Sequence, residues 1–301
     1  GEPAEFTWGG FDENTACGLC YTSGTTGNPK GVLYAHRSNF IHALMTVQAD
    51  ALALSARDNV LMVVPMYHAN AWGMVYSAPA VGAKLVLPGQ RMDGESLVNL
   101  IEEEEITFSS AVPTIWQGVL HYLKESGRGL GAMKRVVIGG SAVPEALVRT
   151  FRDDYGVDVI QGWGMTETSP LATISTPSAE VAAMDKDARV HYATKQGRLL
   201  AGLELKLTDD AGNRLPHDGK TPGRLMIKGP TIVASYFGGE GGEVLDAEGF
   251  FDTGDVSTID DKGYMQITDR AKDVVKSGGE WISSIEIENI ATGHPAVALA
   301  A

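Results

Sequence analysis

Cysteine is nearly absent from this sequence, with only Cys17 and Cys20 among 301 residues, and cations are outnumbered. Lys and Arg number 24 against 38 Asp and Glu, so 24 − 38 leaves −14 at pH 7. A chain of that balance is not built to coat nucleic acid or an anionic membrane. Long apolar runs are missing as well. The longest, Val60–Val64 and Ala296–Ala301, fall far short of the ~20 residues that span a bilayer, so no stable membrane insertion is expected. Two cysteines make no disulfide framework, which fits a reducing cytoplasm. Their C-x-x-C spacing could serve a redox dithiol or half a zinc site, but no second pair completes a tetrad. Thr15–Thr22 reads as a strand, where residues three apart point to opposite faces, so a structural role is the simpler reading. Gly1–Glu5 carries neither the basic nor the apolar part of a secretory leader.

Glycine, by contrast, is abundant at 36 residues, which implies many turns or places where backbone must approach something closely. With 44% hydrophobic and 21% charged residues the chain has a core to bury, and its length suggests about two domains. Strand-like segments at 59–64, 83–87, 107–110, 135–138 and 158–161 alternate with helical periodicity at 96–105, 113–126 and 144–155. That alternation predicts an α/β fold with a largely parallel sheet. From about Gly197 the pattern changes to short alternating segments at 203–207, 223–227 and 264–267, which read as antiparallel strands. Glu102–Glu105 reads as a solvated helix face.

Chemistry concentrates in the loops. Tyr21–Gly31 follows the cysteine strand and packs Thr22, Ser23, Gly24, Thr25, Thr26, Gly27 and Lys30 into one short stretch. Hydroxyls, backbone N–H groups and one cation make a nest for a polyphosphate. It is not a Walker A loop, because no Gly-Lys-Ser/Thr ends it. An ordinary surface turn has no need of so many donors. This segment closely resembles the phosphate-binding signature of the adenylate-forming enzymes, a group that includes acyl-CoA synthetases, luciferases and the adenylation domains of peptide synthetases.

The remaining signatures of that family follow in order. Gln161–Thr168 resembles its second nucleotide motif; the resemblance implies that Thr166 contacts a phosphate, that Glu167 helps hold Mg²⁺, and that Gln161, Gly162 and Trp163 border the nucleotide, with Gly164 and Met165 toward the acyl group. Gly139, Gly140 and Ser141 resemble the segment that lies along adenine and acyl group. Phe251–Asp255 matches the motif whose last residue, Asp255, accepts from both ribose hydroxyls; an isolated Asp in a Gly turn would otherwise be only a turn former. Thr268–Glu280 resembles the hinge: Arg270 would contact the nucleotide, Lys272 is the pivot, and Gly278, Gly279 and Glu280 line the pantetheine route. Thr166, Glu167 and Lys272 are thus the candidate catalytic residues. On the acyl side, Pro65–Met74 contains His68 and Trp72 and no acid. A cationic substrate would be left unpaired there. The run is similar to that of fatty-acyl ligases, in which the Trp gates an acyl tunnel, and of bacterial ligases for 3-methylmercaptopropionate.

The resemblance implies a large N-terminal domain, here an α/β core at 1–196 and a β-rich subdomain at 197–270, then a hinge and the start of a small α+β C-terminal domain at 271–301. The family's part upstream of the phosphate loop is missing, and only 301 − 272 = 29 residues follow the hinge. No late Pro-Lys-x-x-x-Gly-Lys segment supplies the family's catalytic Lys, so this chain alone is expected to adenylate poorly. The implied reaction joins an uncharged aliphatic acid to CoA through an acyl-adenylate, with Mg²⁺ as cofactor, ATP and CoA as co-substrates, and no nucleic-acid partner. An aryl-acid enzyme, a carrier-protein-dependent adenylation domain and a nucleotide-binding fragment without turnover are the alternatives. Chain length of the acid and assembly, a homodimer included, stay open.

Overall fold

A computed structural model describes residues 9–22, 28–270, 275–277 and 280–282. In chain order the elements are β1 Ala16–Tyr21, β2 Gly31–Ala35, α1 His36–Thr46, β3 Asn59–Met62, a helical turn α2 Ala69–Trp72, α3 Met74–Ala80, β4 Lys84–Val86, α4 Gly94–Glu103, β5 Phe108–Ala111, α5 Pro113–Ser126, β6 Arg135–Ile138, α6 Glu145–Tyr155 and β7 Asp158–Gly164. They continue with β8 Leu171–Ile174, α7 Ala179–Ala182, α8 Lys186–Thr194, β9 Arg198–Leu199, β10 Glu204–Thr208, β11 Gly223–Lys228, β12 Phe251–Ile259, β13 Met265–Arg270, β14 Val275–Ser277 and β15 Glu280–Ile282.

The main sheet has seven strands in the order β4-β3-β5-β6-β7-β8-β9. Its first five run parallel, β8 runs antiparallel to β7, and β9 runs antiparallel to β8. Alternation within each strand explains why both faces are covered. Val60 and Met62 of β3 and Val137 of β6 enter one apolar cluster, shared with Met45 of α1 and Met74 and Ala78 of α3. Leu61 of β3 and Val136 and Ile138 of β6 enter the other, shared with Leu97 and Ile101 of α4, Trp116 and Val119 of α5 and Phe151 of α6.

Local signals fix the helix ends. Asp93 caps α4 by accepting from Ser96 N at 2.9 Å, Pro113 opens α5, and Gly127 and Gly156 end α5 and α6 in the left-handed region. The acidic run is not wholly helical: Glu105 lies beyond α4 with φ of 50°, while Glu102 pairs with Arg128 and Glu104 with Lys84. A second, antiparallel sheet, β10-β11-β12-β13, meets the first where Gly197 and Met265 exchange backbone hydrogen bonds.

The cysteine strand departs from the alternation expected of it. Cys20 is buried, and half-buried Cys17 packs against the same apolar cluster, accepting from Asn39 Nδ2 at 3.0 Å. A bulge between Ala16 and Gly18 adds a residue opposite β2 and turns Cys17 inward. Both thiols are free. Among the described residues no helix is long and apolar enough to cross a membrane.

Candidate active site

Three cavities meet where the parallel strands end, the place where open α/β sheets bind ligands. Gly140, just after β6, lines all three. The first, about 360 Å³, brings together Gly140, Ser141, Gln161, Gly162, Trp163, Gly164, Asp255 and Arg270, all singled out from the sequence, and adds Gln196 and Ile267.

Asp255 is 1% exposed. Its Oδ2 accepts from Trp163 Nε1 at 3.0 Å, and Arg270 Nη1 stands 2.9 Å from Oδ1. No N–H is aimed at Oδ1, however, and the Oε1 of Gln161 is likewise buried without a donor. Burial outweighs the attraction of Arg270 and the Trp163 hydrogen bond, pushing the Asp255 carboxyl up to about 6. A cavity with two unsatisfied acceptors suits a ligand that brings hydroxyl or amino donors.

Asp255 reaches this position on a bulged strand rather than in a Gly turn. Pairing of β11 with β12 jumps from Met226 opposite Asp252 to Arg224 opposite Val256, so Thr253–Asp255 face Leu225 alone. Gly254 takes φ of 73°, and its N–H donates to Asp252 Oδ1 at 2.9 Å. The extra residues re-aim the carboxylate into the cavity.

A second group lies where β7 leads into the turn Thr166–Thr168. Gly164 must be glycine there, since a Cβ would fall 1.9 Å from the Pro170 carbonyl oxygen. Tyr34 of β2 donates its hydroxyl to the Thr166 carbonyl at 2.7 Å, and Val233 N donates to the Glu167 carbonyl at 2.8 Å. The Glu167 side chain is buried, and its Oε1 accepts from the Tyr236 hydroxyl at 2.7 Å. Burial and this carboxylate both push the Tyr236 phenol up, so it remains a donor. Glu167 Oε2 has no hydrogen-bond partner among the described residues. Lys30 Nζ sits 4.9 Å from the centre of the Tyr236 ring. Thr22 N donates to the Lys30 carbonyl at 2.9 Å and joins the two ends of the glycine-rich segment between them.

Among the described residues no cluster of three or more His, Cys, Asp or Glu could hold a metal. A lone buried carboxylate such as Glu167 still fits Mg²⁺, which takes one or two protein carboxylates and completes its shell with other oxygen ligands and water.

The third group is apolar. Ala69, Asn70, Ala71 and Trp72 have φ of 41°, 57°, 53° and 55°, so α2 is a left-handed turn. Such residues cost ~1–2 kcal/mol each. Burial of Ala69 and Ala71 and the bond from Trp72 N to the His68 carbonyl, 3.2 Å, hold it in place. The Trp72 ring lies on the glycine pair: a Cβ at Gly139 would be 3.2 Å from the ring and 2.8 Å from the Gly162 carbonyl oxygen.

Trp72 therefore walls two cavities. One, of about 70 Å³, is lined by Leu52, Met74, Phe108, Val137 and Leu171, with Ser110. The other, of about 360 Å³, is lined by Val64, Pro65, Met92, Val112 and Ile115, with exposed His68 at its edge. Neither contains an acid. Met165 packs against the core instead of lining these cavities.

Ser23, Gly24, Thr25, Thr26, Gly27, Lys272, Gly278 and Gly279 lie outside the described residues, and of Glu280 only the backbone, at the start of β15, is described. Tyr34, Gln196 and Tyr236 join the site without having been expected. Tyr34 and Tyr236 meet their partners 132 and 69 residues away, a separation no local motif encodes. Alternation in β2, with Leu33 out and Tyr34 in, is the one signal that could have pointed inward.

Residues 9–237 match the family described as AMP-binding enzyme. The chain is 51% identical over 296 residues to the medium-chain-fatty-acid–CoA ligase of Ectopseudomonas oleovorans, covering 98% of this chain and 54% of the relative. It is also 51% identical over 297 residues to the 3-methylmercaptopropionyl-CoA ligase of Ruegeria lacuscaerulensis, covering 99% and 55%. The chain thus spans about half the length of the curated relatives it matches. Its fold superposes on o-succinylbenzoate CoA synthetase of Bacillus subtilis in complex with ATP and a magnesium ion, with a TM-score of 0.81 and 28% identity, over 96% of this chain and 57% of that one.

Proposed function

This chain belongs to the AMP-binding enzyme family, and we propose that the whole protein is an AMP-forming acyl-CoA ligase. It would convert an uncharged aliphatic acid, ATP and CoA to acyl-CoA, AMP and pyrophosphate through an acyl-adenylate. The observation that carries this reading is the junction at Gly140, where a polar cavity holding buried Asp255 opens onto two apolar cavities walled by Trp72. A nucleotide and an acyl chain entering from either side would meet there.

In this reading Asp255 accepts from the ribose hydroxyls while Trp163 and Arg270 fix its orientation. Gln161 faces the base, and Gly139 and Gly140 let flat groups lie against bare backbone. Thr166 and Lys30 address the phosphates, and Glu167 holds Mg²⁺, which neutralises phosphate charge when bound. The acid's carboxylate then attacks the α-phosphate in line and pyrophosphate leaves. These residues contribute positioning and electrostatic stabilisation, because the charge develops on oxygens that preorganised donors already face. The acyl tail lies beside His68 and Trp72, where the absence of an acid disfavours an amino-acid substrate. The CoA thiol displaces AMP from an already activated acyl group, so no covalent nucleophile is needed. Lys272 as the pivot and Gly278, Gly279 and Glu280 along the pantetheine route complete the proposal.

The test is pyrophosphate release by the full-length enzyme with Mg·ATP and CoA, over acids from 3-methylmercaptopropionate through butyrate and octanoate to palmitate, with cinnamate as the aromatic control. Turnover that peaks on an aliphatic acid and needs CoA to complete supports the reading. Nucleotide binding without adenylation of any acid overturns it in favour of a binding fragment, and a peak on cinnamate favours an aryl-acid enzyme.

A further inference from the structure

Tyr236 is 7% exposed and touches both charged elements of the phosphate end. Its hydroxyl donates to Glu167 Oε1 at 2.7 Å, and its ring lies 4.9 Å from Lys30 Nζ. Glu167 and Lys30 come from separate loops, and no direct ion pair joins them among the described residues. The stretch bearing Tyr236 is itself tied to the same turn through the bond from Val233 N to the Glu167 carbonyl, 2.8 Å.

We infer that Tyr236 is a positioning residue that couples the phosphate-loop lysine to the metal-binding carboxylate; this rests on the ATP-dependent reading above. Its hydroxyl occupies Glu167 Oε1, which fixes the carboxylate plane and leaves Oε2 for the cation. Partners that orient a ligating group in this way are typically worth about 10- to 100-fold in metal affinity. Its ring offers a negative face to the Lys30 ammonium, worth roughly 2- to 5-fold in the placement of that cation. One side chain thereby sets both the metal requirement and the preference for a polyphosphate over a monophosphate.

The experiment titrates Mg²⁺ against ATP binding in the full-length enzyme by calorimetry, with AMP binding and thermal midpoint measured alongside. Tyr236→Phe removes the hydroxyl and keeps the ring. It is expected to raise the Mg²⁺ concentration for half-maximal ATP binding about 10-fold, leaving AMP affinity and ATP affinity at saturating Mg²⁺ within about twofold of wild type. Tyr236→Leu removes both contacts and should in addition weaken ATP at saturating Mg²⁺ by about 2- to 5-fold, still without a matching loss for AMP. If Tyr236 is core packing alone, Tyr236→Phe leaves the Mg²⁺ midpoint unchanged and Tyr236→Leu lowers the thermal midpoint while affecting ATP and AMP equally. Either result overturns the inference. A wild-type enzyme that binds no nucleotide would instead overturn the ATP-dependent reading on which it rests.

Discussion

Replacing Asp255 by Asn should make the nucleotide-free protein more stable while weakening its hold on nucleotide. The carboxyl is raised from 3.8 to about 6, with burial as the largest cause and Arg270 and Trp163 opposing it. Arg270 is 48% exposed at its side chain, so water screens its attraction. At ~1.4 kcal/mol per tenfold in proton affinity, ionising this group in the fold costs on the order of 3 kcal/mol at most. Stability from the neutral carboxyl is fully present below pH 3.8 and is lost as pH rises through about 6. The amide introduced by Asp255→Asn does not ionise, and its oxygen can still accept from Trp163 Nε1. The variant should therefore melt about 2–6 °C above wild type at pH 8, taking a gain of about 1–3 kcal/mol. That gain should shrink at pH 5 and vanish near pH 4. AMP affinity should fall by about 10- to 100-fold, the worth of hydrogen bonds to a charged acceptor. Thermal melts at pH 8, 5 and 4 with AMP calorimetry at pH 8 decide the matter. A variant less stable than wild type at pH 8, or a difference that ignores pH, would mean that pairing with Arg270 outweighs burial and would refute the reasoning.

Buried His42, which accepts from Leu171 N at 3.0 Å, is lowered from 6.5 to about 4 by burial. Its contribution to stability is present above pH 6.5 and lost as pH falls toward 4, so His42→Gln should flatten the acid limb of the melting profile, and an unchanged slope would count against it. Glu105, exposed with φ of 50°, should gain roughly 0.5–1 kcal/mol on replacement by Gly, read as a raised thermal midpoint; a lowered one sinks the claim. Trp72→Ala removes the wall between the two apolar cavities, so kcat/KM in the full-length enzyme should move toward longer or bulkier acids. Selectivity identical to wild type would show that the chain does not pass Trp72.

Regular structure was legible because its causes are local. Pro113 and Gly127 bracket α5 with the same bounds the periodicity predicts, and β6 matches over Arg135–Ile138. The apolar run Val60–Val64 is read as part of a strand at 59–64, although pairing with β4 ends at Leu61 and pairing with β5 at Met62. The motif residues that now surround one cavity were legible for a different reason. Gln161–Gly164, Asp255 and Arg270 stand far apart in the chain, and only resemblance to a family joined them, since periodicity has no means of bringing residue 161 to residue 255.

What escaped the sequence are the breaks in regularity. The bulge at Ala16–Gly18 turns Cys17 inward, the bulge at Thr253–Asp255 aims a carboxylate, and a left-handed turn at Ala69–Trp72 lays an indole on two glycines. Gly254 apart, none has a propensity signal, and alanine at 69 and 71 argues against the conformation those positions adopt. Each is held by contacts made elsewhere: Asn39 on Cys17, Thr253 Oγ1 on the Leu225 carbonyl, burial of Ala71 at 0% exposure. Two of the three present a side chain to the cavities that meet at Gly140, as expected if a fold departs from local preference where a ligand has to be met. Tyr34 and Tyr236 fit the same logic, since each secures the Thr166–Glu167 turn from a distant segment and neither could be recognised before that turn had a place in space.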